Sequence, residues 1–294
     1  MRDACQESLS RRQLLQRGLA LAAGVRLLGP GRALAQDRDG CTRWAFLSDT
    51  HVASNPDHRY NGFLPYRNLR EIVGQIAYDL PDGAVITGDL AWKRGESHAY
   101  ENLKAILAPV TAKRPVYLGL GNHDNRAGFH GTFGGLIQDN LTVPDRHVAT
   151  AIAGPVRLIV LDSLLVDRAS GLLGQSQRAW LKAFLNASDD RPAILFLHHR
   201  PKIDLLDTPY LFDIIEPMVK VKAVVYGHSH EFGFSEYKGI HLINLPSTGF
   251  SMSGGQPVGW VEARITKSGG EFVLRALAGS RKLDGCRTRL CWRA

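Results

Sequence analysis

The segment Val224-Val225-Tyr226-Gly227-His228-Ser229-His230-Glu231-Phe232-Gly233 places two imidazoles at the end of an apolar run. The residues ahead of them have the character of a strand buried on both faces, and the glycine permits a tight turn at its tip. Imidazoles clustered so closely desolvate poorly unless something binds them. Their partners must therefore be sought elsewhere in the chain.

The same design recurs at other runs. Strands are predicted over 43–49, 83–89, 115–122, 156–163, 193–199, 222–228, 240–247, 259–265 and 271–277, each a short stretch rich in Val, Ile, Leu and aromatic residues. Helices are predicted between several of them. Leu69, Ile72, Val73 and Ile76 follow helical spacing, as do Leu103, Ile106 and Leu107, then Trp180, Leu181, Phe184 and Leu185, and residues 209–219 form another. Doubly buried strands separated by helices predict an α/β fold with helices outside the sheet. The last strands lack intervening helices, which predicts a partly antiparallel second sheet.

Several predicted strands end in groups that bind metals. The first ends in Asp49-Thr50-His51, the second in Gly88-Asp89, and the third in Gly121-Asn122-His123-Asp124. Later tips carry His198-His199 and Gly227-His228-Ser229-His230. Ligands of α/β sheets sit beyond the carboxyl ends of the strands, so these groups meet in space. Carboxylate, imidazole and amide oxygen without thiolate suit manganese, iron or zinc. The set is too large for one ion with an open position and suits two ions sharing a carboxylate. Taken singly, Gly88-Asp89 reads as a turn, Asp49 as a helix cap, and His198-His199 as one core and one exposed histidine.

Taken together and in order, D-x-H, G-D, G-N-H-D, H and G-H-x-H resemble the calcineurin-like metallophosphoesterases over about residues 44–265. Through "GDLAWKRGESHAYENLKAILAPV" (88–110) and "GNHDNRAGF" (121–129) the chain is similar to the bacterial class III cyclic nucleotide phosphodiesterase group. The resemblance implies a metallophosphoesterase-type β-sandwich of two mixed sheets flanked by helices. It implies two divalent or trivalent ions, of manganese, iron or zinc. Asp49, His51, Asp89 and His230 are then expected on one ion, and Asp89, Asn122, His198 and His228 on the other, with Asp89 shared. It selects His198 over His199, although "HHRP" has Arg200 where a second proline is common. It assigns His123 as general acid, while a bridging hydroxide acts as nucleophile. Where the family often carries an aspartate to orient that histidine, this chain has Trp92, which leaves the task to Asp124 or a backbone carbonyl, or leaves His123 less well tuned. Arg126 reads either as a phosphate contact or as an exposed residue.

The expected activity is hydrolysis of a small-molecule phosphate ester, foremost a phosphodiester. The alternatives are a phosphomonoesterase or nucleotide pyrophosphatase on the same centre, and a non-catalytic binding scaffold of the same fold. "GDLAWKRG" lacks the G-D-x-x-D-R-G pattern of protein serine/threonine phosphatases. No basic run or aromatic platform points to a nucleic acid polymer. Tyr60, Phe63 and Phe250 are candidates for stacking on a base or for packing.

The chain has 294 residues, 44% of them hydrophobic, with a formal charge of +8. Residues 1–35 combine Arg11-Arg12, a short apolar stretch and Ala33-Leu34-Ala35, the pattern of a twin-arginine-type signal peptide. Such a segment implies the twin-arginine export machinery as partner and a periplasmic or extracellular destination. It is too short, and too interrupted by Arg26, to form a stable membrane span. Its removal leaves a charge of +4 and a metallophosphoesterase domain over 36–294. Of four cysteines, Cys5 falls within the signal. Cys41, Cys286 and Cys291 allow one disulfide involving Cys286, or three unpaired thiols.

Overall fold

A computed structural model describes residues 40–134 and 143–294. The expected signal segment and Cys5 lie outside the described residues. Strand β1 (Cys41–Leu47) opens a six-stranded sheet with β2 (Gly83–Ile86), β3 (Val116–Leu118), β10 (Pro257–Thr266), β11 (Gly269–Gly279) and β12 (Arg287–Cys291). Their order is β12-β11-β10-β1-β2-β3. The second six-stranded sheet contains β4 (Ala149–Ala153), β5 (Val156–Val160), β6 (Ala193–Phe196), β7 (Val221–Tyr226), β8 (Gly233–Tyr237) and β9 (Ile240–Asn244), in the order β4-β5-β6-β7-β9-β8.

The sheets stack face to face because their central strands are apolar on both sides. In β1, Trp44 and Phe46 enter the layer between the sheets, while Ala45 and Leu47 face the helices. Across that layer Phe46 meets Phe196 edge to face, with ring centroids 4.8 Å apart. Helices α1 (Pro65–Asp79), α2 (Ser97–Thr111) and α3 (Arg126–Phe133) cover the outer face of the first sheet. Helices α4 (Gln175–Ala187) and α5 (Thr208–Ile215) cover the second. Of the periodic apolar residues, Leu69, Ile72, Val73, Ile76, Leu103, Ile106, Leu107, Leu181 and Leu185 are buried in these layers, while Trp180 and Phe184 are partly buried.

Three expectations need correction. The second sheet is partly antiparallel, through β4–β5 and β8–β9, but the strands that end the chain do not build it. They extend the first, since β10 pairs antiparallel with β1, while both sheets are mixed. The predicted strands also run too far at their tips: β1 stops at Leu47, β2 at Ile86 and β3 at Leu118. Asp49, His51 and Asp89 just beyond two of these ends adopt positive φ, which no strand accommodates. Finally, among the described residues no disulfide forms, and Cys41, Cys286 and Cys291 are free. Two strands separate β1 from β12, a span of roughly 14 Å at ordinary strand spacing, about twice a disulfide's reach. Among the described residues, no helix is long and apolar enough to cross a membrane.

Candidate metal centre

The parallel strands β1, β2, β3, β6 and β7 end on the same edge of the sandwich, and the loops beyond them bind one another through the backbone. Asp49 N donates to Gly88 O at 3.0 Å and His51 N to Asp89 O at 2.9 Å. From the second sheet, Gly227 N donates to His198 O at 3.1 Å. The glycines at these tips are needed for space. A Cβ on Gly121 would stand 2.2 Å from Asp89 Oδ1, and one on Gly227 would stand 1.8 Å from Ser48 Oγ and 2.4 Å from Asp49 Oδ2. Asp49, His51, Asp89, His228 and His230 all hold left-handed backbone, with φ between 45° and 70°. Each such residue costs on the order of 1–3 kcal/mol, and such strain gathers at functional sites.

These turns bring the expected ligands together. Three groups stand close enough to hold an ion, each with its ligand atoms within 4.8 Å of one another: Asp49, His51 and His230; His51, Asp89 and His123; Asp89, His198 and His228. His230 Nε2 lies 3.3 Å from Asp49 Oδ1, and His198 Nε2 lies 3.2 Å from Asp89 Oδ2. His51 Nε2 is 3.1 Å from His230 Nε2 and 3.7 Å from Asp89 Oδ2. Asp89 thus belongs to both sides of the cluster.

Hydrogen bonds satisfy one oxygen each of Asp49 and Asp89 and the Nδ1 of His230, whereas Nδ1 of His51 and both ring nitrogens of His198 are buried without partners. Asp49 Oδ2 accepts from the Ser48 hydroxyl and from His228 N, whereas its Oδ1 is buried without a partner. Asp89 Oδ1 accepts from His123 N at 2.9 Å, which leaves Oδ2 toward His51, His198 and His123. His230 Nδ1 donates to Phe250 O at 2.9 Å, directing Nε2 inward. Asn122 Oδ1 is buried and unpartnered. Buried polar atoms normally find partners, so this set of orphaned oxygens and imidazoles fits a divalent metal centre.

Burial works against ionised carboxylates, yet His230 and His198 hold Asp49 well below the usual range, and His198 and His51 do the same for Asp89. Burial likewise disfavours a charged His198, but the two carboxylates raise it to about 9. Burial dominates at His51, pushing it down to about 3. Burial likewise opposes a charged His230, but Asp49 raises it too, so the carboxylates favour the charged forms of both His198 and His230.

His123 stands at the rim, its Nε2 4.0 Å from Asp89 Oδ2. Its Nδ1 donates to the backbone oxygen of Trp92 at 2.7 Å. Of the two groups expected to orient it, the carbonyl does so, and it belongs to the very residue that replaces the family's aspartate. Asp124 has a different duty. Its carboxylate accepts from the backbone N–H of Leu90, Ala91 and Gly121 and from the Tyr100 hydroxyl, tying two strand-tip loops together. Arg126 is neither exposed nor aimed at a substrate: it makes a two-pronged pair with Asp162 at 2.6 and 2.9 Å and donates to Leu164 O. His199 lies outside the three groups, bonded through Nδ1 to Ser163 Oγ at 2.8 Å. Phe250 packs behind the ligands, its ring 4.5 Å from that of His230. Tyr60 rests on it and on Trp92.

Gly227→Ala tests this packing. The added methyl cannot coexist with the Ser48–Asp49 pair, so metal affinity is expected to fall about 10–100-fold, the scale of losing an outer partner of a ligand. Isothermal titration of metal into wild type and variant measures it, and unchanged affinity would contradict the crowding described.

Two stacked sheets with carboxylate and imidazole groups gathered at their joint edge fit a hydrolase with a divalent metal centre. A family model for calcineurin-like phosphoesterases matches residues 42–232. The chain belongs to that family, and is accordingly a phosphoric ester hydrolase. It is 30% identical over 240 residues to a probable cyclic nucleotide phosphodiesterase of Rhodococcus erythropolis, covering 77% of each chain. It is 27% identical over 216 residues to a glycerophosphodiester phosphodiesterase of Enterobacter lignolyticus, covering 69% of this chain and 76% of that one. Its fold is like that of a dimetal phosphatase from Danio rerio, with a TM-score of 0.67 and 15% identity over 86% of this chain and 99% of the other.

Proposed function

We propose that the chain hydrolyses phosphodiesters at a two-ion centre. Asp49, His51, Asp89 and His230 hold one ion, Asp89, Asn122, His198 and His228 hold the other, and His123 serves as general acid. The observation that carries this reading is the pattern of bare atoms. Asp49 Oδ1, Asn122 Oδ1 and both ring nitrogens of His198 are buried without partners, and His198 Nε2 lies 3.2 Å from Asp89 Oδ2. Two ions of manganese, iron or zinc would supply a polarised water and neutralise charge on the phosphoryl oxygens.

The protein's own groups perform the rest. Because His123 Nδ1 donates to Trp92 O, the proton that leaves the ring is the one on Nε2, and the neutral tautomer that remains is already hydrogen-bonded. Strand-tip backbone holds the ligands at their positions before substrate arrives, which reduces rearrangement during the reaction. The diester preference draws support from the relatives, named as cyclic nucleotide and glycerophosphodiester phosphodiesterases.

The full chain, loaded with manganese, is expected to turn over bis-p-nitrophenyl phosphate faster than p-nitrophenyl phosphate. Preference for the monoester would move the protein to the phosphatases. Turnover of neither, with two ions bound, would leave a binding scaffold. Export through the twin-arginine route is part of the proposal and rests on the Arg11-Arg12 segment. Changing both arginines to lysine is expected to retain the protein in the cytoplasm of a host that exports the wild type, and unchanged fractionation would refute it.

A further inference from the structure

A groove of about 900 Å³ opens beside His123. Asn122 and His123 line it, and so do three cations, Lys93, Arg94 and Arg168. All three are exposed and, among the described residues, none pairs with a carboxylate. Arg126 also lines the groove but is neutralised by Asp162. Asp167 is the exposed acid in its wall, one against three. Like charges held in one concavity repel, and a protein wall of low dielectric strengthens the field they share.

Two of these cations are fixed relative to His123. Trp92 N donates to Val52 O at 2.8 Å, while its own oxygen holds His123. Leu90 and Ala91, just before Lys93, are bound by the Asp124 carboxylate. After Arg94, which has φ of 46°, Gly95 packs so tightly that a Cβ there would stand 2.5 Å from Asn125 N. The loop 90–95 is thus fastened at both ends to the segment that carries the general acid. The backbone that carries these cations needs little ordering when a ligand binds, which favours affinity.

Resting on the phosphodiesterase reading, we propose that this groove is a subsite for a phosphate group carried by the leaving alcohol. His123 protonates the leaving oxygen, so whatever continues from that oxygen enters the groove that His123 lines. Guanidinium groups match phosphate in a forked arrangement and lysine adds a point charge. The substrate class is therefore a phosphodiester whose departing half is itself phosphorylated.

The dinucleotides TpT, pTpT and TpTp test this with the manganese-loaded full chain. They share one diester bond, and the two phosphorylated forms place the extra phosphate on opposite halves. One of them is expected to exceed TpT in kcat/KM by about tenfold or more, the effect of a charge-assisted contact. In Lys93→Ala/Arg94→Ala/Arg168→Ala that ratio should collapse toward unity; a general loss of structure would lower all rates and leave the ratio standing. Calorimetry of the same ligands reads the subsite apart from turnover, with tighter binding of one phosphorylated form expected in wild type only. Equal kcat/KM and equal binding for all three, or a preference that survives the triple variant, would overturn the subsite. Failure to hydrolyse bis-p-nitrophenyl phosphate, with the binding preference intact, would instead overturn the catalytic reading.

Discussion

Asp89→Ala is expected to lower phosphodiester turnover by at least about 10³-fold, the upper scale for one electrostatic contact to a transition state, and to leave at most one ion per chain. The residue has three tasks at once. Its Oδ2 faces His198 at 3.2 Å, His51 at 3.7 Å and His123 at 4.0 Å. Its Oδ1 accepts from His123 N. Alanine therefore deletes the group common to both ligand sets, strands a backbone N–H, and leaves the imidazoles without their counter-charge. Elemental analysis after gel filtration, paired with turnover of bis-p-nitrophenyl phosphate, checks both parts. Two ions retained at wild-type rate would remove Asp89 from its shared position.

His123→Ala should behave differently, and the contrast identifies the role. Although the ring stands within reach of His51 and Asp89, it sits at the exposed rim and belongs to neither proposed ligand set, so the metal content is expected to stay at two. The rate on a diester with an alkyl leaving group should fall about 10²–10⁴-fold, the usual span for general acid catalysis. The rate on bis-p-nitrophenyl phosphate should fall far less, because nitrophenolate departs without a proton. Equal losses on both substrates would point to a structural role, and no loss on the alkyl ester would end the assignment.

Much of this site was legible before any coordinates. Asp, Asn and His at successive strand tips are chemically conspicuous, and the topology of a parallel sheet makes them converge. The doubly buried strands and the helices of α1, α2, α4 and α5 followed from apolar spacing. What could not be read was whatever depends on backbone. The group orienting His123 is the Trp92 carbonyl, which any residue at that position would supply in the same conformation, so no side-chain pattern announces it. The Phe250 carbonyl behind His230 is equally silent. Strand β4, with the sequence Ala149-Thr150-Ala151-Ile152-Ala153, is too short and alanine-rich to stand out. Strand β12 alternates exposed arginines with partly buried residues at a sheet edge, a weak version of the usual strand pattern. Arg126 follows the G-N-H-D motif and invited a phosphate contact. Its engagement by Asp162, 36 residues onward, is a tertiary fact.

The ligands come from both layers of the sandwich. Asp49, His51, Asp89 and Asn122 follow strands of the first sheet, and His198, His228 and His230 follow strands of the second. Neither sheet alone can assemble the cluster, whatever the order in which the two form. On the proposed reading, binding of both ions requires that the two layers have already met in the right register. During refolding, a metal-sensitive signal from this centre would time the docking of the layers, whereas helical and strand signals would time their separate formation.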